Sequence, residues 1–166
     1  ALMLLALVLT FVAVPVSAEV ADITNLSVTP GDNKAYANTT YEIYFDFNTD
    51  LSHADTTGED QDNIRVQFST DFDLPAATPD TSDVLLTHPS LTGGSKPPKS
   101  VSQTTSAEWI EYRLDVPEDM AASQGGVTLT FKTSAGISNP GEGPACVRAS
   151  TSEEVQFIED CFSNEL

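Results

Sequence analysis

Chemistry at a protein surface needs a nucleophile, a base or a set of ligands held together, and this chain offers few candidates. There are two histidines, His53 and His88, and both stand in polar, turn-rich stretches where a surface position is expected. The many Ser and Asp residues permit a Ser-His-Asp arrangement on paper, but no nucleophile elbow and no zinc-ligand spacing supports one. The acidic neighbours Glu118-Asp119 and Glu159-Asp160 read as solvated pairs. No catalytic residue is assigned, and the chain is expected not to be an enzyme.

Ligand chemistry is the next question. "HADTTGEDQDN" puts Asp55, Glu59, Asp60 and Asp62 in one loop with Gly58 to bend it, and calcium takes several oxygen ligands. The early Asp-x-Asp spacing and terminal bidentate Glu of an EF-hand are absent. A solvated acidic loop is therefore the first expectation, a structural calcium the alternative, and no metal ligand is assigned. Cys146 and Cys161 are an even count and predict a disulfide, with two free thiols as the alternative. Closing a loop of that size contributes about 3 kcal/mol. Asn25-Leu26-Ser27 and Asn38-Thr39-Thr40 fit the glycosylation sequon. Trp109, Tyr44 and Tyr112 suggest a sugar platform by type, but their places inside alternating strands favour packing in the core or on a sheet face.

Composition narrows the partners. The 166 residues carry 7 Lys plus Arg against 25 Asp plus Glu, a formal charge of −18. Nucleic acid and anionic membrane surfaces both need a basic face, so both are disfavoured. The acids are spread from Glu19 to Glu165, which describes a solvated acidic surface and not an acidic tail. Few lysines with much Asp, Glu and Thr resemble the surfaces of proteins from salt-loving organisms; an ordinary acidic secreted protein is the alternative.

The start is apolar. Ala1 to Ala18 contain no charge, and at about 1.5 Å per residue a helix of that length barely matches a hydrocarbon core. Pro15 disfavours a continuous spanning helix. Val16-Ser17-Ala18 sets small residues where signal peptidase requires them, predicting cleavage between Ala18 and Glu19. The expected organisation is a signal peptide over residues 1–18 and one domain over residues 19–166. A retained apolar stem, as in pilin-type proteins, is the alternative.

What would position any site is β-structure. "YEIYFDF" places Tyr41, Ile43, Phe45 and Phe47 on one face; "IRVQF" does the same with Ile64, Val66 and Phe68. "WIEYRLDV" alternates Ile110, Tyr112, Leu114 and Val116 with polar partners, and "VTLTFKT" alternates Val127, Leu129 and Phe131. A period of two with one apolar face describes half-buried antiparallel strands. Shorter strands are expected at Leu26 to Val28, Val84 to Leu86 and Cys146 to Ala149. Turn chemistry at Pro30-Gly31-Asp32-Asn33, Gly93-Gly94, Gly125-Gly126 and Asn139-Pro140-Gly141 separates them. About seven short strands so divided predict an all-β, immunoglobulin-like antiparallel sandwich. Thr87 to Ser106, rich in Ser, Thr, Pro and Gly, is expected as a long exposed loop. In the tail, Thr151 and Glu154 make a capping box with Val155, Ile158 and Phe162 on one helical face, predicting a short C-terminal helix. The alternative is a hairpin turning at Glu153-Glu154 that sets Cys146 opposite Cys161.

"ANTTYEIYFDFNTDL", "DNIRVQF" followed by "FDLP", and "GGVTLTFKTSAGISNP" resemble a secreted β-sandwich module of prokaryotic, haloarchaeal-type cell-surface and surface-layer-associated proteins. The resemblance spans Leu26 to Ser152, and its most specific piece is the corner Ala135 to Pro140. Where an aromatic residue would open the following strand, this chain has Pro144, Ala145 and Cys146. The resemblance implies an extracellular structural or adhesive role. Three functions follow as expectations: a subunit of a surface filament or layer that self-associates, or associates with other surface proteins, through strand donation by residues 19–29; a secreted adhesive or ligand-binding module; and a pilin-like subunit that keeps its apolar helix and thereby meets the membrane.

Overall fold

A computed structural model describes residues 22–53 and 61–165. The apolar segment 1–18, its cleavage point and the loop carboxylates Asp55, Glu59 and Asp60 lie outside the described residues. In chain order the strands are β1 (Thr24–Pro30), β2 (Tyr41–Asp46), β3 (Asn63–Ser69), β4 (Val84–Thr87), β5 (Ser95–Lys96), β6 (Val101–Thr105), β7 (Trp109–Asp115), β8 (Val127–Phe131), β9 (Gly143–Thr151) and β10 (Ile158–Asn164). They form two five-stranded sheets, ordered β1-β2-β8-β4-β5 and β10-β9-β3-β7-β6. Every strand pair is antiparallel.

The alternation does the folding work. Tyr41, Ile43 and Phe45 of β2 are fully buried, as are Ile64, Val66 and Phe68 of β3, Tyr112 and Leu114 of β7, and Val127, Leu129 and Phe131 of β8. Side chains at every second position point between the sheets, so each strand contributes one apolar row to a shared core. Phe68 lies at its centre, meeting Tyr41, Phe72, Tyr112 and Phe131 edge-on with ring centroids 5.1–6.0 Å apart. Full burial of such a side chain contributes about 1.5–3 kcal/mol, and edge-to-face pairing adds about 0.5–1.5 kcal/mol.

Three expectations need correction. The segment Thr87 to Ser106 is not one exposed loop; it carries β5 and β6, and His88, Leu91 and Pro98 within it are buried. The tail is strand and not helix: β10 pairs with β9 throughout, with Cys161 opposite Cys146. Thr151 and Glu154 do bond to each other, Thr151 N–H to Glu154 O at 3.1 Å and Glu154 N–H to Thr151 Oγ1 at 2.9 Å. That reciprocity closes a turn between β9 and β10 instead of capping a helix, because Ile158 and Phe162 gain more by leaning on the core as alternate strand residues. Finally, the described residues hold ten strands where about seven were expected, within the antiparallel sandwich that was expected.

The corner Ala135 to Pro140 is a structural organiser. Gly136 has φ 73°, a left-handed conformation that suits glycine. Asn139 beyond it is fully buried. Its Oδ1 accepts from the Tyr41 hydroxyl. Its Nδ2 donates to the carbonyls of Asp32 and Lys34, each at 2.8 Å. One side chain thus fastens the β1–β2 connection to the core.

Candidate functional site

The two histidines, both expected at the surface, are placed differently. His88 is 1% exposed, a correction to its expected surface position. Its Nε2 donates to Gly125 O at 3.1 Å and its Nδ1 accepts from Ser90 N–H at 3.1 Å. Both ring nitrogens are therefore spent on main chain, and burial pushes its pKa below the ordinary histidine value. The reason is tertiary: the β4–β5 connection folds back so that the ring packs 5.4 Å from Phe47. His53 is half-buried, its N–H donating to Asp119 Oδ1 at 2.7 Å.

The adjacent carboxylates are tied down individually. Glu118 accepts from Lys96 Nζ and from Thr92 N–H at 2.7 Å, and the Lys96 bond holds its carboxyl below the usual range. Glu159 pairs with Arg148 at 2.7 Å, while Asp160 on the opposite face accepts from Val28 N–H at 2.8 Å. An opening of about 450 Å³ is lined by Asp50, Leu51, Ser90, Asp119, Met120 and Gln124. Its two carboxylates already hold the N–H groups of Ala122 and His53.

Of the acidic loop, Asp62 is described. Its Oδ2 accepts from Ser52 N–H at 2.7 Å and its Oδ1 from the Ser152 hydroxyl at 2.9 Å, so it buttons the base of that loop to the β9–β10 turn. Glu153 lies beside it, its pKa raised by burial and by the Asp62 charge.

Cys146 and Cys161 are joined by a disulfide between β9 and β10. Both sequon asparagines are exposed. Asn25 sits at a bulge with φ 54° and donates to Asp46 Oδ2 at 2.7 Å. Asn38 bridges to Ser138. The three aromatics part company. Tyr112 belongs to the core, where burial lifts its hydroxyl to about 12. Tyr44 lies across Gly126 and donates to Asp46 Oδ1. Trp109 is half-buried under the Arg148 guanidinium, 3.8 Å from the ring centroid. They form no common platform.

Several residues carry structure that their spacing did not announce. Glu154 is fully buried, with Oε1 accepting from the N–H groups of Asn48 and Thr49. All three arginines, Arg65, Arg113 and Arg148, share the outer face of the second sheet, Arg65 directly opposite Arg113. The groove between those strands, about 410 Å³, sets Asp62, Glu111 and Glu153 against Arg65 and Arg113. Three carboxylates against two guanidiniums make a mixed surface and not an anion site.

The remaining functional geometry is at the sheet edges, which belong to β1, β5, β6 and β10. β1 and β10 lie against each other across the two sheets, joined by the Val28–Asp160 bond. β1 also buries Ile23 just before it and Val28 within it. The segment expected to be donated is thus seated in its own sheet. Among the described residues no helix is long and apolar enough to cross a membrane.

No protein-family model matches this chain, and no curated protein matches it. A solved structure described as BslA, a bacterial hydrophobin, overlaps 87% of this chain and 97% of its own, at 12% identity and a TM-score of 0.41. Likeness at that level carries no conclusion about what this chain does.

Proposed function

We propose that this protein is a non-enzymatic, extracellular structural subunit of a surface filament or layer, built to associate with copies of itself through sheet edges. The observation that carries the reading is the seating of β1. This edge strand slots Ile23 and Val28 between the two sheets and is held to the far sheet, among the described residues, by the bond from Val28 N–H to the Asp160 carboxylate. A strand that completes a core from the edge is the element that strand exchange uses, because a neighbour's copy fills the same groove with the same contacts. The charge of −18 supports an acidic exposed setting, and it weighs against nucleic acid and anionic membrane as partners. Residues 1–18 act in this reading as the export signal.

The test removes residues 19–29 from the chain. Assembly is expected to be lost, and a synthetic peptide of residues 19–29 is expected to restore the folded sandwich, read by near-ultraviolet circular dichroism. Polymers formed by the deletion variant without peptide would overturn strand exchange. Intact-mass analysis of the native protein adds the N-terminus: a chain beginning at Glu19 agrees with export, whereas one beginning at or near Ala1 favours the pilin-like alternative.

A further inference from the structure

An open sheet edge is a template for another strand, and proteins ordinarily guard it with charge, proline, bulges, shortness or a covering element. Three of the four edges here are guarded. β1 is bulged between Thr24 and Ser27 and ends at Pro30. β5 has two residues, one of them Lys96, followed by Pro97-Pro98. β10 presents Glu159 and Asp160 and is covered by β1.

β6 is different. Val101-Ser102-Gln103-Thr104-Thr105 contains no charge, no proline and no glycine, and its register with β7 is unbroken. In a chain where 19% of residues are charged, the bare edge is the exception. The ladder fixes what it shows. Asp115 N–H bonds to Ser100 O and Ser106 N–H to Trp109 O, so even-numbered residues turn their main-chain groups toward β7. By the two-residue period, Val101, Gln103 and Thr105 turn theirs outward, where among the described residues nothing pairs with them.

We propose that β6 is a homotypic docking edge: two copies pair their β6 strands antiparallel about Gln103, joining their second sheets into one continuous sheet. The register is self-consistent. Gln103 meets Gln103 and Val101 meets Thr105, so every outward-facing residue meets another, making about six interstrand hydrogen bonds. Just beyond the paired strands, the antiparallel arrangement sets the Lys99 end of one copy near the Glu108 end of the other. Both charges are exposed, and neither forms an ion pair among the described residues. This flanking complementarity, basic before the strand and acidic after it, favours a second copy over an unrelated strand. The inference rests on the reading of a self-associating subunit, but it uses a different edge from β1.

The test is a charge swap at the exposed positions Ser102 and Thr104, which face each other across the proposed two-fold axis. Full-length S102D/T104D and S102K/T104K are measured by sedimentation velocity at about 0.15 M salt, where charges within about 8 Å still act on each other. Each variant alone is expected to self-associate about tenfold more weakly than the parent, and an equimolar mixture is expected to recover the loss. Q103P gives a second readout: it removes an outward N–H, a place where an edge tolerates proline, and should weaken pairing without loss of fold. Association unchanged in all three variants, but lost on deleting residues 19–29, overturns the β6 edge and leaves the subunit reading intact. A parent chain that stays monomeric at every concentration overturns both. Slow hydrogen exchange at Val101, Gln103 and Thr105 in a monomer also overturns the pairing, since the chain's own residues would then cover the edge.

Discussion

The two flanks of this sandwich are built on opposite principles. On one, β1 and β10 close the gap between sheets. Val28 N–H reaches Asp160, Arg148 pairs with Glu159, and Cys146 is bonded to Cys161. On the other, β5 is a two-residue stub, and β6 hangs on β7 alone with an uncharged outer rim. The first flank places polar and covalent links where edge strands would otherwise fray. On the second, the outward main-chain groups of Val101, Gln103 and Thr105 have no partner among the described residues. The difference separates two kinds of test: on the closed flank, substitutions at the cysteine and Asp160 links should cost folding free energy, whereas on the open flank the proposed β6 pairing predicts a cost in assembly with little cost in folding.

The largest effect should come from the closed flank's covalent link. Replacing Cys146 and Cys161 by serine is expected to lower unfolding stability by about 3 kcal/mol, the value for a loop near fifteen residues. Urea denaturation of the parent, oxidised and reduced, checks it. Loss of the same magnitude on reduction alone would assign the effect to the bond and not to the substituted side chains.

Next is Asp160→Ala, which leaves the half-buried Val28 N–H without its carboxylate. A loss of about 1.5–3 kcal/mol is expected, toward the lower end because Asp160 is partly solvated. Hydrogen exchange should show the change concentrated in β1, with the β6–β7 pair unaffected; a uniform change would mean that the flanks are not separable.

A smaller, pH-gated effect belongs to the open flank. His88 has its pKa depressed by burial, so the unfolded chain binds its proton more readily than the folded one. Its contribution is fully present above the unfolded value of about 6.5 and is lost as pH falls through the lower folded value. Protonation takes away the Nδ1 lone pair that accepts from Ser90 N–H. The β4–β5 connection should therefore loosen on mild acidification, as followed by imidazole NMR shifts.

The smallest effect on folding is the sharpest comparison. S102D/T104D should change stability by no more than about 0.5 kcal/mol, because both side chains are exposed and their cross-strand neighbours, Arg113 opposite Ser102 and Glu111 opposite Thr104, offer one opposite and one like charge. A larger loss would mean that the rim of β6 is structural after all.

Sequence pattern made the sandwich legible because a strand's faces are set locally. Tyr41-Ile43-Phe45 and Ile64-Val66-Phe68 alternate whichever strands lie beside them, and the structure buries all six. The same reasoning failed where a local motif serves two geometries. Thr151 and Glu154, three residues apart, can close a helix cap or a turn, and the choice fell to the pairing of β10 with β9. Composition misled at Thr87 to Ser106, where Ser, Thr and Pro suggested a loop. β6 there is a strand because β7 offers it an edge.

The sequence by itself therefore determined the class of fold, the facing of its long strands, the acidity of its surface and the availability of two cysteines for one bond. Those properties follow from period-two alternation and from charge, which need no knowledge of distant neighbours. The meeting of distant segments settled the rest: that His88 is buried, that Glu154 clamps the main chain of Asn48 and Thr49, and that of four sheet edges one is left unpartnered among the described residues. Each depends on which remote segments meet. Ladder hydrogen bonds are made between main-chain groups that every residue carries, so the side-chain pattern does not specify the partner.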